Sequence, residues 1–133
     1  MRRGNDQQGF TVELDPQTNV VHVSAWGFWG SDVAAAFPED VLEVSADARP
    51  GFGLLFDCGS LPPQRAEGQE AWSRLVRELD GEVGPVCAVV PNAVTKLQLV
   101  RISKVNVAHR WSFFSTVAAA MLSLEHEDED EGG

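Results

Sequence analysis

The sequence contains little cysteine, and this scarcity excludes two kinds of small protein. Cys58 and Cys87 are the only cysteines among 133 residues. Two are too few for a disulfide framework, and neither lies in the Cys-x-x-Cys or cysteine–histidine spacing of a metal site. Reduced cysteine is usually an interior residue, so we expect two buried thiols and no bound metal.

Long apolar runs, clustered basic residues and a phosphate-binding loop are also missing. No run approaches the roughly 18 apolar residues of a membrane span, and residues 1–8 are followed by no apolar signal core. This predicts a soluble cytoplasmic protein without membrane contacts. The ten lysines and arginines are scattered, which disfavours nucleic-acid binding because phosphate contacts need concentrated cations. The glycines of segment 51–53 precede a predicted strand, whereas a phosphate-binding loop joins a strand to the helix that follows it. No nucleotide cofactor is therefore indicated.

Negative charge is abundant, and much of it lies near the C-terminal end. The formal net charge is −10. Six of the negative charges belong to Glu125, Glu127, Asp128, Glu129, Asp130 and Glu131. Like charges repel and cannot bury apolar surface, which predicts a disordered acidic tail at 125–133. Composition leaves open whether the tail only aids solubility or steers the protein toward a basic partner. We expect residues 1–9 to be a flexible N-terminus.

The remaining chain, 10–124, is predicted to form a single domain around one core. Alternating and continuous apolar runs predict strands at 10–14, 20–23, 53–56, 85–90 and 105–111. Helical spacing and capping residues predict helices after Ser31, over 66–79, after Asn92 and after Ser115. Pro38 is expected to break or kink the first of these, with a second helical stretch over 39–45. The order β-β-α-β-α-β-α-β-α predicts an α/β fold with one mixed, mainly parallel sheet.

Two segments resemble a known family. Residues 86–97, Val-Cys-Ala-Val-Val-Pro-Asn-Ala-Val-Thr-Lys-Leu, followed by Arg-Ile-Ser at 101–103, are similar to the strand, proline, helix and Ser/Gly stop of STAS domains. Residues 55–61, Leu-Phe-Asp-Cys-Gly-Ser-Leu, resemble the family's strand that ends in Asp-x-Ser-Gly-Val. With the order of elements, these segments make 10–124 resemble a SpoIIAA-like (STAS) domain.

The resemblance implies a regulatory role without catalysis. Bacterial anti-sigma-factor antagonists of this family bind a kinase through the loop after the third strand and the helix that follows. Phosphorylation of a serine in an Asp-Ser-Ser-Gly loop switches their binding off. Aligned from Asp57 without gaps, this chain has Arg65, Ala66, Glu67 and Gly68 at those four positions, so the phosphoacceptor serine is missing.

Glu67 falls at the position of the missing serine. Its carboxylate partly imitates a phosphoserine, because both place anionic oxygens at a helix N-terminus. If the partner recognises only the unphosphorylated form, this imitation would keep binding permanently switched off. If the partner has adapted to the carboxylate, binding would be permanently switched on. The alternative is a favourable first-turn acid without a switching role.

We therefore predict a partner-binding surface in 57–72, assisted by the aromatic loop 26–30. Rigid aromatic rings contribute much of the energy of interfaces. The predicted contact residues are Trp26, Phe28, Trp29, Asp57, Arg65, Glu67, Gly68 and Trp72. Other roles remain open, since the aromatic loop could cap the sheet and the core, and Asp57 could stabilise a turn. A kinase or other regulatory protein is the implied partner, and homodimerisation through exposed strands or aromatics also stays open.

Two other kinds of function are weighed against this one. A small hydrophobic ligand or lipid binder would be favoured by a pocket lined by Trp26, Phe28, Trp29 and Phe113. An enzyme would require His22, His109 and Asp57 to converge, and no nucleophile motif lies beside them. We predict no catalytic residue and no cofactor.

Overall fold

Six strands form one mixed sheet in the order of the chain. The computed structural model describes residues 1–125, and its last helix is bounded at Gly132. The strands are β1 (Arg2–Gly4), β2 (Gly9–Asp15), β3 (Val20–Trp26), β4 (Phe52–Ser60), β5 (Val83–Val89) and β6 (Trp111–Phe114). The pairs β1–β2 and β2–β3 are antiparallel, whereas β3 to β6 run parallel. The predicted mixed, mainly parallel sheet is confirmed.

Four helices cover the two faces of this sheet unequally. They are α1 (Ser31–Ser45), α2 (Ala66–Glu78), α3 (Ala93–Ser103) and α4 (Val117–Gly132). Side chains of α1, α2 and α3 pack with all strands from β2 to β6 in the main core. On the opposite face, Ala120 and Leu124 of α4 pack with Leu55 and Cys87 in a smaller core. The predicted disordered tail at 125–133 lies outside the described residues, apart from Glu125.

The main core is built around stacked and tilted aromatic rings. Trp72 of α2 lies at its centre, with ring centroids of Phe37, Phe56 and Trp29 at 4.5, 5.1 and 5.8 Å. The α2 side chains that reach this core recur at spacings of three and four residues, as the sequence predicted. Both cysteines are buried, as expected. Burial raises the pKa of the Cys58 thiol, which keeps it neutral.

The N-terminus differs from the expected flexible segment at 1–9, because β1 pairs there with β2. A tight turn makes this possible: Asn5 Oδ1 accepts hydrogen bonds from the amides of Gln7 and Gln8, and Gly4 adopts a φ of 95°. Arg3 then anchors the strand through hydrogen bonds of 2.6 and 3.2 Å to the buried carboxylate of Asp40 in α1.

Three other boundaries differ from the sequence prediction. Pro38 lies inside α1 without ending it, because Phe37 and Val41 on either side are fully buried and hold the helix on the core. The strand predicted at 105–111 is mostly a turn, and the strand itself begins at Trp111. The last helix starts after Thr116, whose Oγ1 accepts a hydrogen bond from the Ala119 amide. The Asn92 cap is confirmed by hydrogen bonds from the amides of Val94 and Thr95.

Candidate partner-binding surface

An open groove lies at the carboxyl ends of the central strands, where α/β sheets commonly place ligands and partners. Its volume is about 840 Å³. Trp26 ends β3 and Phe28 follows it, Ser60 ends β4 and Pro62 lies in the next loop, and Asn92 follows β5. Strand topology therefore brings together three segments that are far apart in the sequence.

The buried side-chain amide of Gln64 joins two loops, the aromatic loop 26–30 and the loop 61–65 before α2. Its Oε1 accepts a hydrogen bond of 3.1 Å from the Trp29 amide. Its Nε2 donates to the carbonyls of Gly27 and Pro62, both at 2.9 Å. Because one side chain satisfies polar groups of both loops, 26–30 and 61–65 form a single rigid unit.

The backbone of Gln64 is fixed as well, and this links the unit to α3. Gln64 exchanges two hydrogen bonds with the side chain of Gln98, of 2.8 and 3.1 Å. Thr95 Oγ1 donates to the Leu61 carbonyl at 2.9 Å. The loop before α2 is thus held by α3 as well as by the aromatic loop.

The rings of Trp26 and Phe28 lie at the surface of this unit, and each is next to an arginine. The Phe28 side chain is 56% exposed, and the Arg65 guanidinium carbon lies 5.9 Å from its ring centroid. The Arg2 guanidinium carbon lies 5.2 Å from the half-buried Trp26 ring, and the Trp26 indole donates to the Asn5 carbonyl. Such aromatic–arginine pairs combine apolar area with hydrogen-bond donors.

Glu67 completes the surface at the first turn of α2. It is exposed, and its Oε2 accepts a hydrogen bond of 3.2 Å from Ser31 Oγ at the start of α1. The carboxylate lies where the α2 backbone has unpaired amides, and the helix dipole favours negative charge there. We call Trp26, Phe28, Ser31, Arg65 and Glu67 the loop–helix surface.

Three of the predicted contact residues lie in the interior. Trp72 is 1% exposed and Trp29 is 3% exposed, because both indoles stack in the main core. Gly68 is buried under Gln64, and a Cβ there would lie 2.6 Å from Gln64 Oε1. The prediction that they contact a partner is thereby corrected: they hold the surface in place from below.

Asp57 also takes a local role. Its Oδ1 accepts a hydrogen bond of 3.1 Å from the Gly59 amide, which stabilises the end of β4 as the turn interpretation expects. In the strand alternation it falls on the same side as Leu55, on the face that α4 covers. It does not line the groove.

Sequence reasoning missed Gln64, Arg2 and Asn5. Gln64 follows two prolines directly before a helix, and Gly68 lies one turn further on. A glycine at that spacing in a helix is the available signal that another group packs closely against it. No sequence pattern indicated Arg2 or Asn5, because their contacts with Trp26 depend on the pairing of β1 with β2.

Among residues 1–125, His22, His109 and Asp57 do not contact one another and each has its own local partners. His109 is buried and its Nε2 lies 3.2 Å from the Leu79 carbonyl, beside the end of α2. His22 lies on β3 opposite Glu13, and β3 is not a neighbour of β6. Within residues 1–125 no group of three His, Cys, Asp or Glu side chains could hold a metal ion. Among the same residues no helix has the length and apolar character that a membrane crossing requires.

Solved structures share this architecture. The crystal structure of an anti-sigma factor antagonist from Mycobacterium paratuberculosis matches with a TM-score of 0.58 at 19% identity, covering 87% of this chain and 94% of that one. The chain has a SpoIIAA-like (STAS-like) fold. The NMR structure of the protein TM1081 matches with a TM-score of 0.61 at 12% identity, covering 92% and 94% of the two chains. No family model and no curated protein matches the sequence.

Proposed function

We propose that the chain is a non-catalytic regulatory or scaffolding module of the cytoplasm that binds another protein through the loop–helix surface. The observation that carries the proposal is Phe28. Its large ring is mostly exposed, yet its loop is fixed by the buried Gln64 amide. An exposed aromatic on a rigid support loses little conformational entropy on binding, which is the property of an interface anchor.

The composition of the surface supports a protein partner. Arg65 and Trp26 flank the anchor, and aromatic residues and arginine are enriched at the energetic centres of protein interfaces. The likeness to a solved anti-sigma factor antagonist supports a regulatory protein as the partner, and the family resemblance implies a kinase.

Binding by this module is constitutive in our proposal. Glu67 supplies a permanent negative charge at the α2 N-terminus, and its hydrogen bond from Ser31 ties that charge to α1. A phosphate would add further charge and would repel acidic groups on a partner. Without a hydroxyl at position 67, that switch cannot operate there, and the partner is recognised in the presence of a fixed carboxylate.

The test is affinity capture from a lysate of the source cells, with the tagged full-length chain as bait and mass spectrometry as the readout. Phe28→Ala and Glu67→Lys are each expected to reduce recovery of the principal bound protein by about 10-fold or more, the effect of losing an interface anchor. Glu13→Lys is the matched control, because it makes the same charge change at an exposed position of β2.

Equal recovery by the wild type and the three variants would show that the loop–helix surface is not part of the interface. A protein retained by the wild type and by Glu13→Lys, and lost from both other variants, supports the proposal. Circular dichroism of the variants is expected to match the wild type, because Phe28 and Glu67 are exposed.

A small-molecule ligand is the second candidate, and the groove is the observation that favours it. Its volume lies in the range of ligand sites. The four-aromatic pocket considered from the sequence is not formed: Trp26 and Phe28 line the groove, whereas Trp29 is buried in the core and Phe113 packs beside Trp111. Native mass spectrometry of the purified chain distinguishes the two, since a co-purifying small molecule lost in Trp26→Ala would favour the ligand.

A further inference from the structure

The charges of the chain are segregated along the sequence, and the segment without acids includes α3. No aspartate or glutamate occurs between Glu82 and Glu125. The same segment contains four cations, Lys96, Arg101, Lys104 and Arg110. In a chain with twice as many acids as bases, this is a local excess of positive charge.

These four cations have no ion-pair partner among residues 1–125, unlike most of the other basic side chains. Arg2, Arg3, Arg74 and Arg77 each pair with a carboxylate at 2.6 to 3.6 Å. Within the described residues, no carboxylate therefore neutralises the cations of α3 and of the turn that follows.

Large apolar side chains lie exposed on the same helix. Val94 is 56% exposed and Leu97 is 65% exposed. Residues three and four apart lie on one side of a helix, so Val94, Leu97, Arg101 and Lys104 form one continuous stripe. We call these four residues the α3 stripe. At 1.5 Å per residue it is about 15 Å long, which matches two to three turns of a second helix.

We propose that the α3 stripe binds an acidic amphipathic helix of a partner protein. The partner helix places apolar side chains against Val94 and Leu97, and its acidic residues pair with Arg101 and Lys104. This surface is separate from the loop–helix surface, since its members belong to α3 and to the residue that ends it. The proposal does not depend on the function proposed for that surface.

Charge favours a protein helix over a bilayer or a nucleic acid as the occupant. The whole chain carries a net charge of −10, so an extended polyanion meets long-range repulsion from the rest of the surface. A single helix is short enough to contact the α3 stripe alone, and charges more than about 8 Å away are largely screened at physiological salt. An acidic helix also provides the apolar face that Leu97 requires, which a phosphate backbone lacks.

Three labelled helical peptides with one common apolar face test this proposal by fluorescence anisotropy. Their flanking positions are all glutamate, all glutamine or all lysine. The full-length chain is expected to bind the glutamate peptide at least about 10-fold more tightly than the lysine peptide, as complementary against like charges requires. Added salt should reduce this preference.

Variants of the chain locate the binding site. Leu97→Asp and Arg101→Glu are each expected to lower the affinity for the glutamate peptide by about 10-fold. The controls Leu122→Asp and Arg49→Glu make the same changes at exposed positions of α4 and of the loop before β4, and Glu67→Lys alters the loop–helix surface instead. All three control variants should bind the glutamate peptide with the affinity of the wild type. A normal affinity of Glu67→Lys would show that the α3 stripe acts independently of the loop–helix surface.

Equal affinity for the three peptides, absence of binding, or a normal affinity of Leu97→Asp would overturn the proposal. Two further assays identify another occupant. Leu97-dependent binding to vesicles of phosphatidylglycerol and phosphatidylcholine, without binding of the glutamate peptide, would assign the stripe to a membrane. Leu97-dependent dimerisation in analytical ultracentrifugation would assign it to a second copy of the chain. Either result would contradict the acidic helix.

Discussion

Trp72→Ala is expected to lower the free energy of unfolding by about 3–5 kcal/mol, the usual cost of truncating a buried tryptophan. The indole is 1% exposed, and it contacts rings from the aromatic loop, α1 and β4. Its removal leaves a cavity that connects these three elements, and close-packed neighbours collapse only partly into such a space. Urea denaturation followed by circular dichroism measures the change.

Trp72→Phe separates the role of ring volume from any role of the indole nitrogen. Trp72 Nε1 is buried and finds no hydrogen-bond partner among the described residues, so phenylalanine loses volume without losing a hydrogen bond. We expect a cost of no more than about 1–2 kcal/mol and unchanged partner recovery. A loss of recovery at normal stability would mean that Trp72 contacts the partner, as the sequence alone suggested.

Gln64→Ala is expected to cost about 2–4 kcal/mol, because it leaves the buried Trp29 amide and the Gly27 and Pro62 carbonyls without their partner. The aromatic loop should then move independently of the loop before α2. Faster hydrogen exchange of the Trp29 and Gly30 amides would report this local loosening, beside the shift in the urea transition.

Gln69→Ala is the matched control for Gln64→Ala. Its amide donates only to the Gln64 carbonyl, which Gln98 also contacts, so we expect a loss of under about 1 kcal/mol. If Gln64→Ala cost no more than Gln69→Ala, the Gln64 side chain would not be the joint between the two loops. Partner recovery by Gln64→Ala should fall even where the protein remains folded, because Phe28 would lose its rigid support.

The sequence predicted those parts of the fold in which apolar periodicity and burial agree. The sequence predicted the apolar face of α2 and the buried strands β4 and β5 because their apolar residues face a core from a regular element. The N-terminal strand was missed because Arg-Arg-Gly has no apolar alternation and is held by pairing with β2 and by Asp40. Val105 and Val107 suggested a strand, yet both are exposed in a turn, since branched apolar residues alone do not specify pairing.

The candidate site was predicted in outline, and its internal organisation was not. The aromatic loop and the start of α2 were recognised from residue type and from the family resemblance. Which aromatic faces solvent could not be read from the pattern Trp-Gly-Phe-Trp. The direction of each ring depends on Gly27, which adopts a φ of 76°, and on the hydrogen bonds of Gln64 to this loop. A hydrogen bond between residues 29 and 64 is a long-range contact, and neither local propensity nor periodicity encodes it.

Site-specific photo-crosslinking in the source cells tests the central claim most directly. The photoreactive residue p-benzoylphenylalanine replaces Phe28, Glu67 or, as a control, Glu13, and cross-linked species are resolved by electrophoresis and identified by mass spectrometry. The account predicts one discrete protein adduct shared by positions 28 and 67 and absent at position 13. No adduct at positions 28 and 67, or the same adducts at all three positions, would contradict the assignment of this surface to a protein partner.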